Sequence, residues 1–167
     1  SQAVGGAAVT KNESLISIKD IPDQPGTSSM IFKNIADENI TVDMIVQNIG
    51  LDGRANIAFT VLDDDLQVAR DAVKKSLDEL GCGRCEFRQD VSKVSVVGSG
   101  MAKQTGVADH MFRTLAAAGI NIQMITTSEI KISVLVDRER AEEALQQVHQ
   151  AFSLEKAPDD IQTQEIG

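Results

Sequence analysis

Two stretches of the chain alternate apolar and polar residues with period two, then switch to helical spacing, in the same order each time. Leu15-Ile16-Ser17-Ile18 and Val94-Ser95-Val96-Val97 read as strands. A turn containing Gly or Pro follows each, and then apolar positions at helical spacing. These are Met30, Ile31, Ile35 and Ala36 in the first stretch, and Val107, Met111, Leu115 and Ala118 in the second. Pro25 and Gln104-Thr105 stand near the helix starts. Glu38-Asn39 and Ala118-Gly119 stand at the ends, where Asn and Gly tolerate a left-handed cap. Two strands follow in each, Val42–Ile49 with Ala55–Leu62 and Ile122–Thr127 with Ile130–Val136. The first pair turns at Leu51-Asp52-Gly53. A second helix comes next, Asp65 to Leu80 and Arg138 to Phe152. Asp63-Asp64-Asp65 and Asp137 put negative charge at its start, as the helix dipole favours.

The chain therefore repeats itself once. A single offset aligns Gly26 with Gly106, Phe32 with Phe112, Ile40 with Ile120 and Met44-Ile45 with Met124-Ile125. Downstream, Ile57–Val61 is matched to Ile130–Val134. In the first copy a last strand, Arg84–Gln89, completes β-α-β-β-α-β, the split form of the βαβ motif. The second copy lacks that strand, and after Leu154 the chain is polar and without strand pattern. A spare apolar segment, Ala3–Thr10, belongs to neither copy. The expected fold is thus α+β, two ferredoxin-like modules with the first inserted into the second. The second takes its missing strand from the N-terminus. The expected boundaries are 13–90 for the first module, 3–12 plus 91–154 for the second, and a flexible tail over 155–167.

Composition narrows the chemistry. The net charge of -9 argues against nucleic acid or an acidic membrane as partner. The chain has five Phe, no Trp and no Tyr, which removes the strand aromatics of an RNA-recognition module and leaves any ligand site without stacking. No run approaches the ~20 apolar residues of a membrane span, and the start lacks the features of a signal peptide. A soluble, cytoplasmic protein is expected. The absence of an initiator Met points to an excised piece or a processed subunit of something longer. Cys82 and Cys85 form one C-x-x-C after a helix and before a strand, the reverse of a thioredoxin-like order, and are expected to be incidental. With His110 and His149 on separate helices, no nucleophile–base pairing and no metal-ligand spacing can be read. Val97-Gly98-Ser99-Gly100 follows a strand, but its third glycine, Gly106, comes too late for a dinucleotide loop. No catalytic residue, metal or cofactor is expected in this chain.

Binding remains. The turns DIPDQPGTSS and GSGMAKQTGV each set backbone N–H groups and a helix N-terminus at one edge of a sheet, which suits a carboxylate. Asp23, Asp43 and Glu129 can receive an ammonium group. Gln47, Asn48, Asn121, Thr127 and Ser128 offer neutral hydrogen bonds. A free amino acid presents one carboxylate and one ammonium, so the set suits it. Each residue also has a plainer role: Asp23 as a turn cap, Asn121 in a loop, Thr127-Ser128 in a hairpin. Recurrence at equivalent positions favours the binding role.

At these residues the sequence resembles a known family. IPDQPGTSSMIFKNIADENITVDMIVQNI, with VSVVGSGM, GINIQMITTSEIKISVLV and ALQQVHQAF, is similar to the regulatory region of bacterial aspartate kinase. That region is a tandem pair of ACT domains, small ferredoxin-like amino-acid sensors, and the resemblance covers residues 3–154. It implies a parent enzyme that phosphorylates aspartate with ATP and Mg in a catalytic domain absent here. The ACT pair of that family binds threonine, lysine or both for feedback inhibition, and exists also as a separate β subunit. The resemblance further implies a homodimer through the ACT domains and a catalytic domain or α subunit as partner. By motif, Asp23, Gly26, Thr27, Ser28, Gln47, Asn48, Asn121 and Ile122 match effector contacts. Asp43, Thr105, Val107, Ala108, Ser128 and Glu129 match a second, related site. The family often has His-Pro-Gly where this chain has Gln104-Thr105-Gly106. Two other readings stay open: an ACT-type sensor of another pathway, and an oligomerisation module with no ligand.

Overall fold

The computed structural model describes residues 4–99 and 104–154; the expected tail over 155–167 lies outside them. The chain runs β1 (Gly6–Pro22), α1 (Thr27–Ala36), β2 (Ile45–Ile49), β3 (Arg54–Leu62), α2 (Leu66–Leu80), β4 (Arg84–Val97), α3 (Gln104–Ala117), β5 (Met124–Thr127), β6 (Lys131–Asp137) and α4 (Ala141–Ala151). It divides into two compact units, Asn12–Gln89 and Ser1–Lys11 with Asp90–Gly167. The strand order is β2-β3-β1-β4 in the first unit and β1-β4-β6-β5 in the second. Each is a βαββαβ module, and the second does take its outermost strand from the N-terminus.

The main surprise is strand length. β1 is one strand of 17 residues and β4 one of 14, where the sequence pattern showed two short strands in each place. The polar runs Lys11-Asn12-Glu13 and Gln89-Asp90 interrupt the alternation without interrupting the backbone ladder. Each unit boundary therefore falls inside a strand, at Lys11/Asn12 and Gln89/Asp90.

In the first module β1 and β2 both run antiparallel to β3, placing Ile16 and Ile45 on either side of Phe59. Ile16, Ile18, Ile57, Phe59 and Val61 point to one face and are closed over by Ile31 and Ile35 of α1 and Ala69 and Val73 of α2. Phe32 meets Phe59 edge to face at 5.4 Å. Helix α1 buries Thr27, Ile31 and Ile35, a stripe at i, i+4 and i+8 that fits helical spacing. Helix α2 follows a short 3-10 turn, Asp63–Asp65, and ends at Gly81, whose left-handed φ of 71 lets its N–H reach Leu77 O.

The second module repeats this plan. Val94 and Ile125 flank Val134, and Val94, Val96, Ile132, Val134 and Val136 face Met111, Leu115, Ala144 and Val148. The N-terminal segment enters the same core through Val4, Ala7 and Val9. Its backbone is fastened by Gly5 N–H to Val97 O at 2.8 Å and by Ser92 Oγ donating to Lys11 O at 2.9 Å.

Register corrects one sequence alignment. Phe59 and Val134 occupy the same place between their neighbours, so Ile57 is equivalent to Ile132 and Val61 to Val136. The pairing of Ile57 with Ile130 is two residues out, and Ile130 is exposed. A slip of two keeps every side chain on its face, so hydrophobic pattern alone does not detect it. β2 and β5 are also shorter than expected, beginning at Ile45 and Met124. The residue before β2 is still tied in: Met44 N–H donates to Thr60 Oγ1 at 3.0 Å, and Thr60 N–H to Met44 O at 3.0 Å.

Candidate functional site

The strongest site geometry lies where β1 passes into α1. Gly26 is the N-cap, with φ 96, and offers the helix no side-chain cap. The first N–H groups of a helix have no partner within it, so an uncapped start leaves those of Ser28 and Ser29 to an outside acceptor. Glycine meets two needs here: the left-handed φ, and a first turn left open. Thr27 is 4% exposed, and its buried Oγ1 has no hydrogen-bond partner. A buried hydroxyl without a partner is unfavourable by about 1–3 kcal/mol, which sets Thr27 apart from ordinary core packing. Ser28 Oγ donates to Gln47 Oε1 at 3.0 Å, joining the start of α1 to the edge strand β2. Asp23 is exposed, and its N–H donates to Gly53 O at 2.9 Å, which fastens the loop to the β2–β3 turn. An anion acceptor, a buried hydroxyl and a carboxylate thus come from one short segment.

The structure separates two residues the sequence placed side by side. Ile45, Gln47 and Ile49 pair with Phe59, Ile57 and Ala55 and share their helix-covered face, whereas Asn48 pairs with Asn56 and turns to the other. Gln47 therefore joins Ser28, and Asn48 does not. Asn48 Oδ1 instead accepts from Asn56 Nδ2 at 3.2 Å, and Asn56 Oδ1 accepts from Asp20 N–H at 3.2 Å. Asp20 forms an ion pair with Arg84. Sequence reasoning did not select Asn56, Asp20 or Gly53. The one available signal was a polar residue, Asn56, between Ala55 and Ile57 on the outward face of β3.

In the second module Val107 is buried in the core, and Ala108 and Ile122 pack against it. None of the three carries a polar side-chain atom, so any hydrogen bond they make to a ligand comes from the backbone. Thr105, Asn121, Ser128 and Glu129 are exposed. Gln104 Nε2 donates to Ser128 O, and Ser128 N–H to Lys131 O at 2.8 Å, so the start of α3 is tied to the β5–β6 turn. Asp43, assigned by motif to the second site, is an exposed residue of the first module whose N–H donates to Thr60 O at 3.0 Å. Thr127 is exposed near the end of β5.

Among the described residues no group of three His, Cys, Asp or Glu could hold a metal ion, and no helix is long and apolar enough to cross a membrane. Cys82 is exposed and Cys85 half-buried. Burial pushes the Cys85 thiol up, opposed by the nearby charges of Lys74 and Arg70. Both edge strands expose apolar residues: Ile45 and Ile49 on β2, and Ile125 on β5 with Ile130 in the turn after it.

Comparison with known proteins agrees with this architecture. The ACT domain family matches residues 16–77 and 94–152, one match per module. An aspartokinase of Thermus thermophilus is 45% identical over 158 residues, which are 93% of this chain and 39% of that protein. The chain thus spans well under half the length of the curated relatives it matches. The ligand-free regulatory subunit of aspartate kinase from Thermus thermophilus superposes with a TM-score of 0.85 at 44% identity, covering 90% of this chain and 99% of that one. A structure of aspartokinase alpha and beta subunits gives 0.84 at 44% identity, over 91% of this chain and 100% of that one. More distantly, aspartokinase III of E. coli in complex with lysine and aspartate gives 0.67 at 25% identity, over 90% of this chain and 33% of that one. Two inserted ACT modules, matched end to end by an aspartate kinase regulatory subunit, place this chain in the aspartate kinase family as its regulatory ACT-domain region.

Proposed function

We propose that the chain senses an end-product amino acid, threonine or lysine, and transmits feedback inhibition to an aspartate kinase in the cytoplasm. The observation that carries this reading is the uncapped start of α1 beside the buried, unpartnered Thr27 hydroxyl. The ligand carboxylate takes the helix N–H groups, which together with the dipole form a ready anion site. Asp23 receives the ammonium, and Gln47, its oxygen engaged by Ser28, turns its NH2 toward the ligand. E. coli aspartokinase III has been solved with lysine bound, which supports the ligand class.

The partners in this reading are a catalytic domain or α subunit, which supplies ATP and Mg chemistry, and a second copy of the chain. The exposed Ile45, Ile49 and Ile125 on open strand edges support the second copy, since apolar edges ordinarily find cover. Regulation then works by population shift: a ligand that binds one arrangement better by ~1–3 kcal/mol changes activity several-fold or more.

Calorimetry of the chain with threonine and lysine, separately and together, tests this. Binding heat with either, and a raised melting temperature, is expected. Heat with a different amino acid only would favour a sensor of another pathway, and no heat with any of the twenty an oligomerisation module.

A further inference from the structure

The two histidines of the second module are held very differently. His110 Nε2 bonds Ala151 O at 2.8 Å, and its ring meets Phe152 edge to face at 4.8 Å. His149, in the last turn of α4, is 4% exposed, yet neither Nδ1 nor Nε2 has a hydrogen-bond partner. A neutral imidazole carries one donor and one acceptor, and leaving both unmade in a buried place is unfavourable. The end of α4 does not need them. The N–H groups of Phe152, Ser153 and Leu154 donate to Val148 O, Gln150 O and His149 O at 3.1, 3.1 and 2.9 Å, and His110 serves Ala151 O. Among the described residues, His149 lines a cavity of about 340 Å³ with Gln146, Gln147, Gln150 and Leu154. That volume is at the small end of ligand sites, ~300–1,000 Å³.

The first module shows that this face is particular to α4. Helices α2 and α4 each begin after a three-residue 3-10 turn, so Asp71, Lys74 and Lys75 stand where Gln146, His149 and Gln150 do. Those three are exposed. Where α2 presents charged surface, α4 has a buried ring beside two carboxamides at i-3 and i+1, on one face of the helix. We propose that this cavity is a further binding site, for a small uncharged molecule bearing a primary carboxamide. With the ring neutral, its described lining has no formal charge, so a charged ligand would leave water without a counter-ion. A carboxamide carries both donors and an acceptor. It can serve either ring nitrogen and pair its other half with a glutamine. Threonine and lysine, as zwitterions, do not suit this lining, so the site does not depend on the amino-acid-sensing reading.

The test titrates the full chain with acetamide at about pH 8, above the ordinary histidine value of about 6.5, and follows both imidazoles by NMR. Saturable shifts of the His149 ring nitrogens are expected in the millimolar range, with those of His110 unmoved. Acetate and methylammonium, small probes of either charge, are expected to give none. Lack of a saturable acetamide shift would mean a ring met by solvent alone and would overturn the proposal. Equal saturation by acetate or methylammonium would overturn it as well, since the lining would then not select an uncharged group. His149→Phe keeps a ring and removes both nitrogens. Saturation transfer from this variant to the acetamide methyl group should reveal affinity about tenfold weaker, with the ligand-free melting temperature not lowered. Undiminished affinity would place acetamide elsewhere and overturn the proposal. Gln150→Ala, at an exposed position, carries the same test if His149→Phe does not fold: a few-fold loss of affinity is expected, and no loss would overturn the site.

Discussion

The two modules share a fold and a core plan but differ where the first helix begins. In the first module that helix starts with an uncapped Gly26, a buried hydroxyl at Thr27, and Ser28 joined to Gln47. At the same places the second has Gly106, Val107 in the core, Ala108, and Thr127. Swapping one hydroxyl for one methyl turns an unsatisfied polar atom into ordinary packing. The lesson is that the two copies share the scaffold while the polar arrangement at the start of the first helix stands in one of them. The unsatisfied Thr27 hydroxyl is a local departure from good packing, and such departures collect at functional sites.

The largest expected effect concerns the scaffold. Deleting residues 1–11 removes Val4, Ala7 and Val9 from the second core and leaves the Val94–Val96 part of β4 paired on one side only, with β6. A cooperative melt should be lost or lowered by many degrees. An unchanged melting curve would show that the second module closes without the N-terminal strand. Next, Asp23→Ala should abolish the thermal stabilisation given by threonine or lysine, because the ammonium loses its partner, while the ligand-free melting temperature stays put. Retained stabilisation would remove Asp23 from the site.

A reciprocal swap then probes the difference between the modules directly. Thr27→Val, which makes the first module resemble the second, should weaken ligand binding about tenfold without loss of stability, since a buried hydroxyl with no partner disappears. Val107→Thr should destabilise the chain by about 1–3 kcal/mol, read from denaturant unfolding, and gain no ligand. Gln47→Ala should weaken binding only a few-fold, as a neutral hydrogen bond contributes less than a charged one.

The smallest effect concerns two exposed ion pairs, one in each module. Lys19 holds the Glu86 carboxyl, and Lys11 the Glu142 carboxyl, below the usual carboxylate range. A carboxylate lowered in the folded state adds stability above its unfolded pKa, about 4.3, and loses it as pH falls through the lower folded value. Glu86→Gln and Glu142→Gln should therefore shift melting by no more than a degree or so at neutral pH, and by progressively less as acid protonates the wild-type carboxyls. A large shift at neutral pH would mean the pairs do more than their exposure allows.

Much of this architecture was legible in the sequence because it rests on periodicity. Ile16, Ile18, Ile57 and Phe59 alternate as a half-buried strand must, and Ile31 and Ile35 recur as a helix must. The insertion followed from counting strands. What escaped was decided by backbone continuity and register. Lys11, Asn12 and Glu13 look like a loop yet lie within one strand, because the ladder uses backbone groups that every residue carries. The two-residue slip at Ile130 kept all faces correct and so left no trace in hydrophobicity. Of the candidate site, Asp23, Gly26, Thr27 and Ser28 were selected by motif and lie on one segment, from which Ser28 reaches Gln47. Asn48 faces away from Gln47 by simple alternation, which motif adjacency obscured. The pairing of Asn48 with Asn56 was missed because it depends on which residue lies across the sheet, and a single chain read end to end does not reveal that.

The measurement closest to the central claim is the stoichiometry and affinity of threonine and lysine, each titrated calorimetrically into the wild-type chain and into Thr27→Val. The difference between the modules predicts one ligand per chain, bound about tenfold more weakly in the variant. Two equivalent ligands per chain, or equal affinity in both proteins, would contradict it.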